Sequence, residues 1–177
     1  MDLYQTLGKN NLVWTKEELV IVALILALVS VAAFILYKKG RINVDQAVCA
    51  VVLAFFLLLV ITSTVFGRNP GKRSYKLTPF WSYAEIIKGS KSILQEVLLN
   101  IILLFPAGVL LPMVFNRPLR WYYGLLFGML ISGTIETLQL ITCRGLFEFD
   151  DIFHNSLGCL IGCVICSKLL RRRDKGS

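Results

Sequence analysis

The stretch GLLFGMLISGTIETLQLI, Gly124–Ile141, decides the fold. As helix it is long enough to cross about 30 Å of hydrocarbon, and it carries one ionisable residue, Glu136. In lipid, a backbone segment must satisfy its own N–H and C=O groups, so helix is the conformation to expect. A carboxyl group placed there costs on the order of 2.5–3.5 kcal/mol on insertion scales. It is tolerated where it faces the interior of a bundle, a partner or a wet cavity. Ser132, Glu136 and Gln139 recur at i, i+4 and i+7, which puts them on one helical face. That polar stripe marks the inward side of the span.

Working outward, four more apolar runs of similar length appear: Leu19–Tyr37, Ala47–Phe66, Val97–Phe115 and Ile152–Leu170. Together they predict an all-α, polytopic transmembrane bundle of about five spans, with residues 1–177 as one domain. The composition agrees. Hydrophobic residues make up 56% and charged residues 17%, too little polar surface to coat a water-soluble globule. The net charge is +8, yet Lys and Arg flank the apolar runs, which points to membrane lipids as partners and away from nucleic acid. The first run is read as an anchored span. Glu17 and Glu18 precede it and Lys38, Lys39 and Arg41 follow it, the reverse of a signal peptide's charge order.

Orientation follows from the basic residues. Arg171, Arg172, Arg173 and Lys175 adjoin the last span, so the C-terminus is expected in the cytoplasm and the 67–96 loop and 142–151 turn outside. Within that loop, Pro79–Ile93 opens with aromatic residues and suits a short interfacial helix. Gly124 with Gly128, and Gly158 with Gly162, have the small-xxx-small spacing that lets helices approach closely. Cys159, Cys163 and Cys166 fall in an apolar run and read as small buried hydrophobes. The lone His154 cannot make a zinc site.

Residues with chemical potential collect at one level. The turn after the fourth run carries Arg144, Asp150 and Asp151, and Asp151, Asn155, Gly158 and Gly162 share a face of the fifth. One aspartate would suffice to cap that helix, so the second, with Asn155, is an excess. Asn100 begins the third span from the same side, and Arg68 and Arg73 follow the second. Arg73, Asn100, Glu136, Gln139, Arg144, Asp150, Asp151 and Asn155 are therefore the candidate binding residues, suited to a phosphate or other lipid headgroup. Glu136, Asp150 and Asp151 are the candidates for a catalytic base or for ligands of a divalent cation. A scaffold, with the polar stripe serving only helix packing, is the remaining alternative. The chain carries no nucleophile elbow, phosphate-binding glycine loop or metal motif.

At these residues the sequence resembles the VanZ-like family of bacterial membrane proteins. Asn100, Phe105, Pro106, Gly108, Leu111 and Pro112 match one family segment, and Ile135, Glu136 and Gln139 match its I-E-x-x-Q element. Arg144, Asp150, Asp151, Asn155, Gly158 and Gly162 match its C-terminal motif, and Arg73, Leu77, Pro79 and Phe80 its outer loop. Lys76 stands where the family pattern has Asn, and Glu148 where it has Asp. The likeness covers about residues 66–166. It implies a role in the bacterial cell envelope and an effect on susceptibility to teicoplanin-type glycopeptides.

Overall fold

The computed structural model describes residues 15–176. Its helices begin and end where local side chains can satisfy the orphaned backbone groups. Helix α1, Lys16–Lys38, starts in a capping box. The Thr15 hydroxyl accepts the Glu18 N–H at 3.2 Å, and the Glu18 carboxylate accepts the Thr15 N–H at 3.0 Å. It ends at Gly40, whose φ of 67° allows the N–H groups of Gly40 and Arg41 to reach the Tyr37 and Leu36 carbonyls. Helix α2, Val44–Ile61, repeats the capping box with Asn43 and Gln46, and Gln46 Nε2 also donates to the Val114 carbonyl at 3.0 Å. A five-residue π-helical turn, Thr62–Phe66, extends α2. Its hydroxyls take up backbone carbonyls: Thr62 donates to Leu58, and Ser63 and Thr64 both donate to Val60.

After the π turn come strand β1, Ser74–Lys76, and a short helix α3, Trp81–Ile87. Helix α4, Lys91–Val114, runs unbroken through Pro106 and Pro112. Helix α5, Trp121–Thr142, strand β2, Leu146–Glu148, and helix α6, Phe149–Gly176, complete the order. β1 and β2 pair in parallel, with Ser74 opposite Leu146 and Lys76 opposite Glu148. This small sheet was not foreseen, because three-residue strands leave no periodic signal. The short helix is also briefer than the expected 79–93 stretch. Gly89, at φ 93°, ends it, and Ser90 caps α4 instead.

Among the described residues, five helices are long and apolar enough to cross a membrane. Their centre is α6, packed between α4 and α5. Glycines set the distance. A Cβ at Gly158 would fall on the Ile101 carbonyl oxygen of α4, and one at Gly162 on the Phe105 carbonyl. A Cβ at Gly128 of α5 would stand 2.8 Å from Ser156 Cα. The two glycine pairs therefore serve packing within the chain. Val60, Val65, Leu104, Ile135 and Cys159 form the main apolar core, where the cysteine packs as a small hydrophobe. Because α4, α5 and α6 alternate in direction, the start of α4, the end of α5 and the start of α6 meet at one end of the bundle.

Candidate functional site

That end gathers most of the polar residues singled out above. Glu136 is 2% exposed, and its Oε2 accepts the backbone N–H of Glu148 at 2.9 Å. One turn earlier, Ser132 Oγ accepts from Asn155 Nδ2 at 2.9 Å and donates to the Asp151 carbonyl at 3.4 Å. Gln139 donates Nε2 to the Thr64 carbonyl at 3.1 Å. The α5 stripe thus touches three neighbours: α6 through Ser132, β2 through Glu136 and the π turn through Gln139. Asp151 ties α6 to α4 by accepting from Asn100 Nδ2 at 2.6 Å.

Asp150 faces elsewhere. Its Oδ1 accepts the Phe80 N–H at 2.6 Å, and its Oδ2 accepts the Ser82 N–H at 3.0 Å and the Ser82 hydroxyl at 2.6 Å. Phe80 is the N-cap of α3 with φ 58°, and an aromatic residue has no oxygen to offer the helix. Asp150 supplies that cap across seventy residues of chain. Next to it, His154 Nε2 lies 3.1 Å from the Tyr83 hydroxyl. These contacts dock α3 on α6.

Charge around the cluster is mixed. Arg68 lies within Coulombic reach of both Glu136 and Asp151, and Glu96 within reach of Asp151 and Glu148. Gly145 keeps room for this arrangement, since a Cβ there would stand 3.0 Å from both an Arg68 guanidinium nitrogen and Gln139 Oε1. Glu148, at the end of β2, is buried. That burial, followed by the charges of Asp151 and Glu96, pushes its carboxyl up to about 7 against the opposing Lys76. Lys76 itself stands 3.0 Å from the centre of the Trp81 ring.

Asn100, Glu136, Asp151 and Asn155 are thus brought together around Ser132. Gln139 and Arg144 hold the adjoining π turn. Arg144 donates to the Phe66 carbonyl at 2.9 Å, so its contact is with that turn and not with Glu136. Arg73 is exposed beside β1, outside the cluster. The residues missing from the candidate set are Arg68, Ser132, Glu148, Glu96, Ser82 and Tyr83. Glu148 was legible as the acidic residue just before Asp150 and Asp151, and Glu96 as the residue one turn before Asn100 on α4, but Ser82 and Tyr83 depend on loop placement. Among the described residues, the buried side-chain atoms without a hydrogen-bond partner are Trp81 Nε1, His154 Nδ1 and Asn155 Oδ1. No three His, Cys, Asp or Glu side chains among them stand close enough to share a metal ion.

Five long apolar helices, three of which close on a buried polar cluster near one end, define a multi-pass helical membrane protein. A family model described as VanZ/LLP1 matches residues 46–171, from the start of α2 to the last turns of α6, and the chain belongs to that family. No curated protein and no solved structure matches it.

Proposed function

We propose that this protein resides in the bacterial plasma membrane with its C-terminus in the cytoplasm and the Glu136 cluster toward the outer face. There it binds the headgroup of an envelope lipid or a lipid-linked cell-wall intermediate. The observation that carries this reading is Asn155. Its side chain is 2% exposed, its Nδ2 is held by Ser132, and its Oδ1 has no partner. A buried acceptor left unpaired costs on the order of 1–3 kcal/mol, which a donor from a bound hydroxyl or amine would recover. The acceptors of Glu136 and Asp151 stand beside it, and Arg68 offers a cation to a phosphate. A lipid held in this way is withheld from a glycopeptide such as teicoplanin, which is how binding would alter susceptibility.

A second reading makes the same cluster catalytic, with Glu136 or Asp151 acting on the bound lipid as a base. It is favoured by the proximity of three carboxyls, since Glu136, Glu148 and Asp151 lie within Coulombic reach of one another. Asp150 is the weakest of the named candidates because both of its oxygens already cap α3.

The test is mass spectrometry of lipids that co-purify with the wild type and with Glu136→Gln. The amide keeps the shape and an acceptor for the Glu148 N–H but removes the charge. The variant is expected to accumulate folded protein near the wild-type level, yet to lose the co-purifying envelope lipid and the glycopeptide effect. A modified lipid found only with the wild type would select the catalytic reading. Unchanged lipid and unchanged susceptibility in the variant would leave the cluster as a packing device.

A further inference from the structure

The opposite end of the bundle is built for a different ligand. Helix α4 closes on Asn116, at φ 48°, with the N–H groups of Asn116 and Arg117 on the Met113 and Pro112 carbonyls. The Leu119 N–H then donates at 3.0 Å to the buried Ser167 hydroxyl, which pins the loop to α6. Helix α5 follows with Arg120 at its N-cap, no side chain capping it and no acidic residue in its first turn. The positive end of that helix is therefore flanked by the Arg120 cation and not by a side-chain acceptor of its own first turn. Arg120, Trp121, Ser167, Lys168 and Arg171 line a cavity of about 260 Å³ beside it.

Between α2, α4 and α5 runs an apolar groove of about 480 Å³, walled by Leu53, Leu111, Leu126, Phe127 and Leu130. Arg117, Leu119 and Tyr123 line both this groove and a smaller cavity that includes Arg120 and Tyr122. The groove thus opens directly onto the cationic loop. Among the described residues, no carboxylate lines any of these cavities.

We propose that the groove and its cationic mouth bind one anionic phospholipid from the leaflet at this end. An acyl chain lies along the face of Leu126 and Leu130, and the phosphate is held by Arg117, Arg120 and the uncapped α5 amides. Cation, helix terminus and aromatic edge together are the chemistry of a phosphate at the membrane surface. The contiguous apolar groove selects a lipid over free phosphate. This site shares no residue with the Glu136 cluster and stands or falls separately from it.

The experiment is native mass spectrometry of the full chain in mild detergent, titrated with dioleoyl phosphatidylglycerol, dioleoyl phosphatidylcholine or inorganic phosphate. Phosphatidylglycerol is expected to bind about tenfold better than phosphatidylcholine. The double variant Arg117→Gln/Arg120→Gln should lose that preference, and Arg117→Lys/Arg120→Lys should keep most of it. Leu126→Trp, which fills the groove and leaves the cations, should weaken both lipids. Equal binding of the two lipids would overturn the proposal. So would undiminished phosphatidylglycerol binding in the glutamine double variant or in Leu126→Trp, or its displacement by inorganic phosphate. Size-exclusion profiles identify a variant that has failed to fold, in which case the lysine pair and Leu126→Trp decide.

Discussion

Helices α1 and α6 are both long enough to span a bilayer, but they use their residues in opposite ways. The span of α1 has a mean hydropathy of 3.2 with 11% of it buried within the chain, whereas that of α6 has 1.5 with 50% buried. The innermost span is, with α5, one of the two least apolar. In water the reverse ordering holds, since burial there is what hydrophobic residues gain. In lipid, apolar side chains are as well solvated outside the bundle as inside it. Association then rests on close packing and on hydrogen bonds. Hydropathy in this protein therefore reports contact with lipid, and polar or small residues report contact with protein. Leu28 of α1 is 70% exposed, while Cys159 and Cys163 of α6 are fully buried. The family match begins at residue 46, so α1 also lies outside the shared segment.

The largest expected effect comes from giving α6 what suits α1. Gly158→Leu places branched carbon where the α4 backbone at Ile101 already stands, and neither helix can yield without losing Gly162 against Phe105. Overpacking of one site costs roughly 1–3 kcal/mol, and a clash with backbone more. Folded protein recovered after detergent extraction should fall severalfold. Leu28→Ala on α1, which removes three carbons at an exposed, lipid-facing position, should leave recovery close to wild type. If both variants were recovered alike, the contrast between a packed span and a solvated one would fail.

A smaller, local effect is expected at the entry to α6. Asp150→Ala leaves the N–H groups of Phe80 and Ser82 and the Ser82 hydroxyl without their acceptor. Hydrogen bonds to a charged group contribute about 1.5–3 kcal/mol each, so α3 should detach while the five long helices hold. Trypsin should then cut faster at the exposed Lys88 and Lys91, with little change in melting temperature. A cleavage rate equal to wild type would show that α3 is held by its apolar contacts alone. α1 offers the contrast, because its own cap is local and lies between Thr15 and Glu18.

Five long apolar helices, the helical class and the level at which Glu136, Asp151, Asn155 and Asn100 meet were legible in the sequence. Each rests on spacing along a helix, and in a bundle of alternating helices that spacing also fixes depth. What could not be read was which partner each group would choose. Asp150 and Asp151 are neighbours, but one turns to Ser82 and the other to Asn100, and only the placement of the 67–90 loop decides it. Arg144 and Arg68 both lie at this end of the bundle, and the sequence does not say which of them faces Glu136. The π turn at Thr62–Phe66 presents the Phe66 carbonyl to Arg144, and Arg68 is left as the cation within reach of the carboxylates. A π turn is a difference of one residue in hydrogen-bond register, and nothing in an apolar run with three hydroxyls announces it.

The smallest expected effect is a slope against pH, and it sharpens the contrast at the point where the chain enters α6. Glu148 is 7% exposed, and its carboxyl is raised from 4.5 to about 7, first by burial and then by Asp151 and Glu96. Between those values the folded chain keeps a proton that the unfolded chain has released. Stability from this group is therefore fully present below about pH 4.5 and declines as pH rises through about 7. Glu148→Gln cannot release a proton, so its melting temperature in detergent should meet the wild type's at low pH and lie above it beyond neutrality. Lys76→Gln removes the cation that opposes the shift, so the decline should move to higher pH. The Glu136 contact is unaffected by either change, because it uses the Glu148 backbone N–H and not its side chain. Melting curves for the wild type and Glu148→Gln that stay parallel from about pH 5 to about pH 8 would show that the carboxyl titrates alike in the folded and unfolded chains, and that water reaches the end of β2.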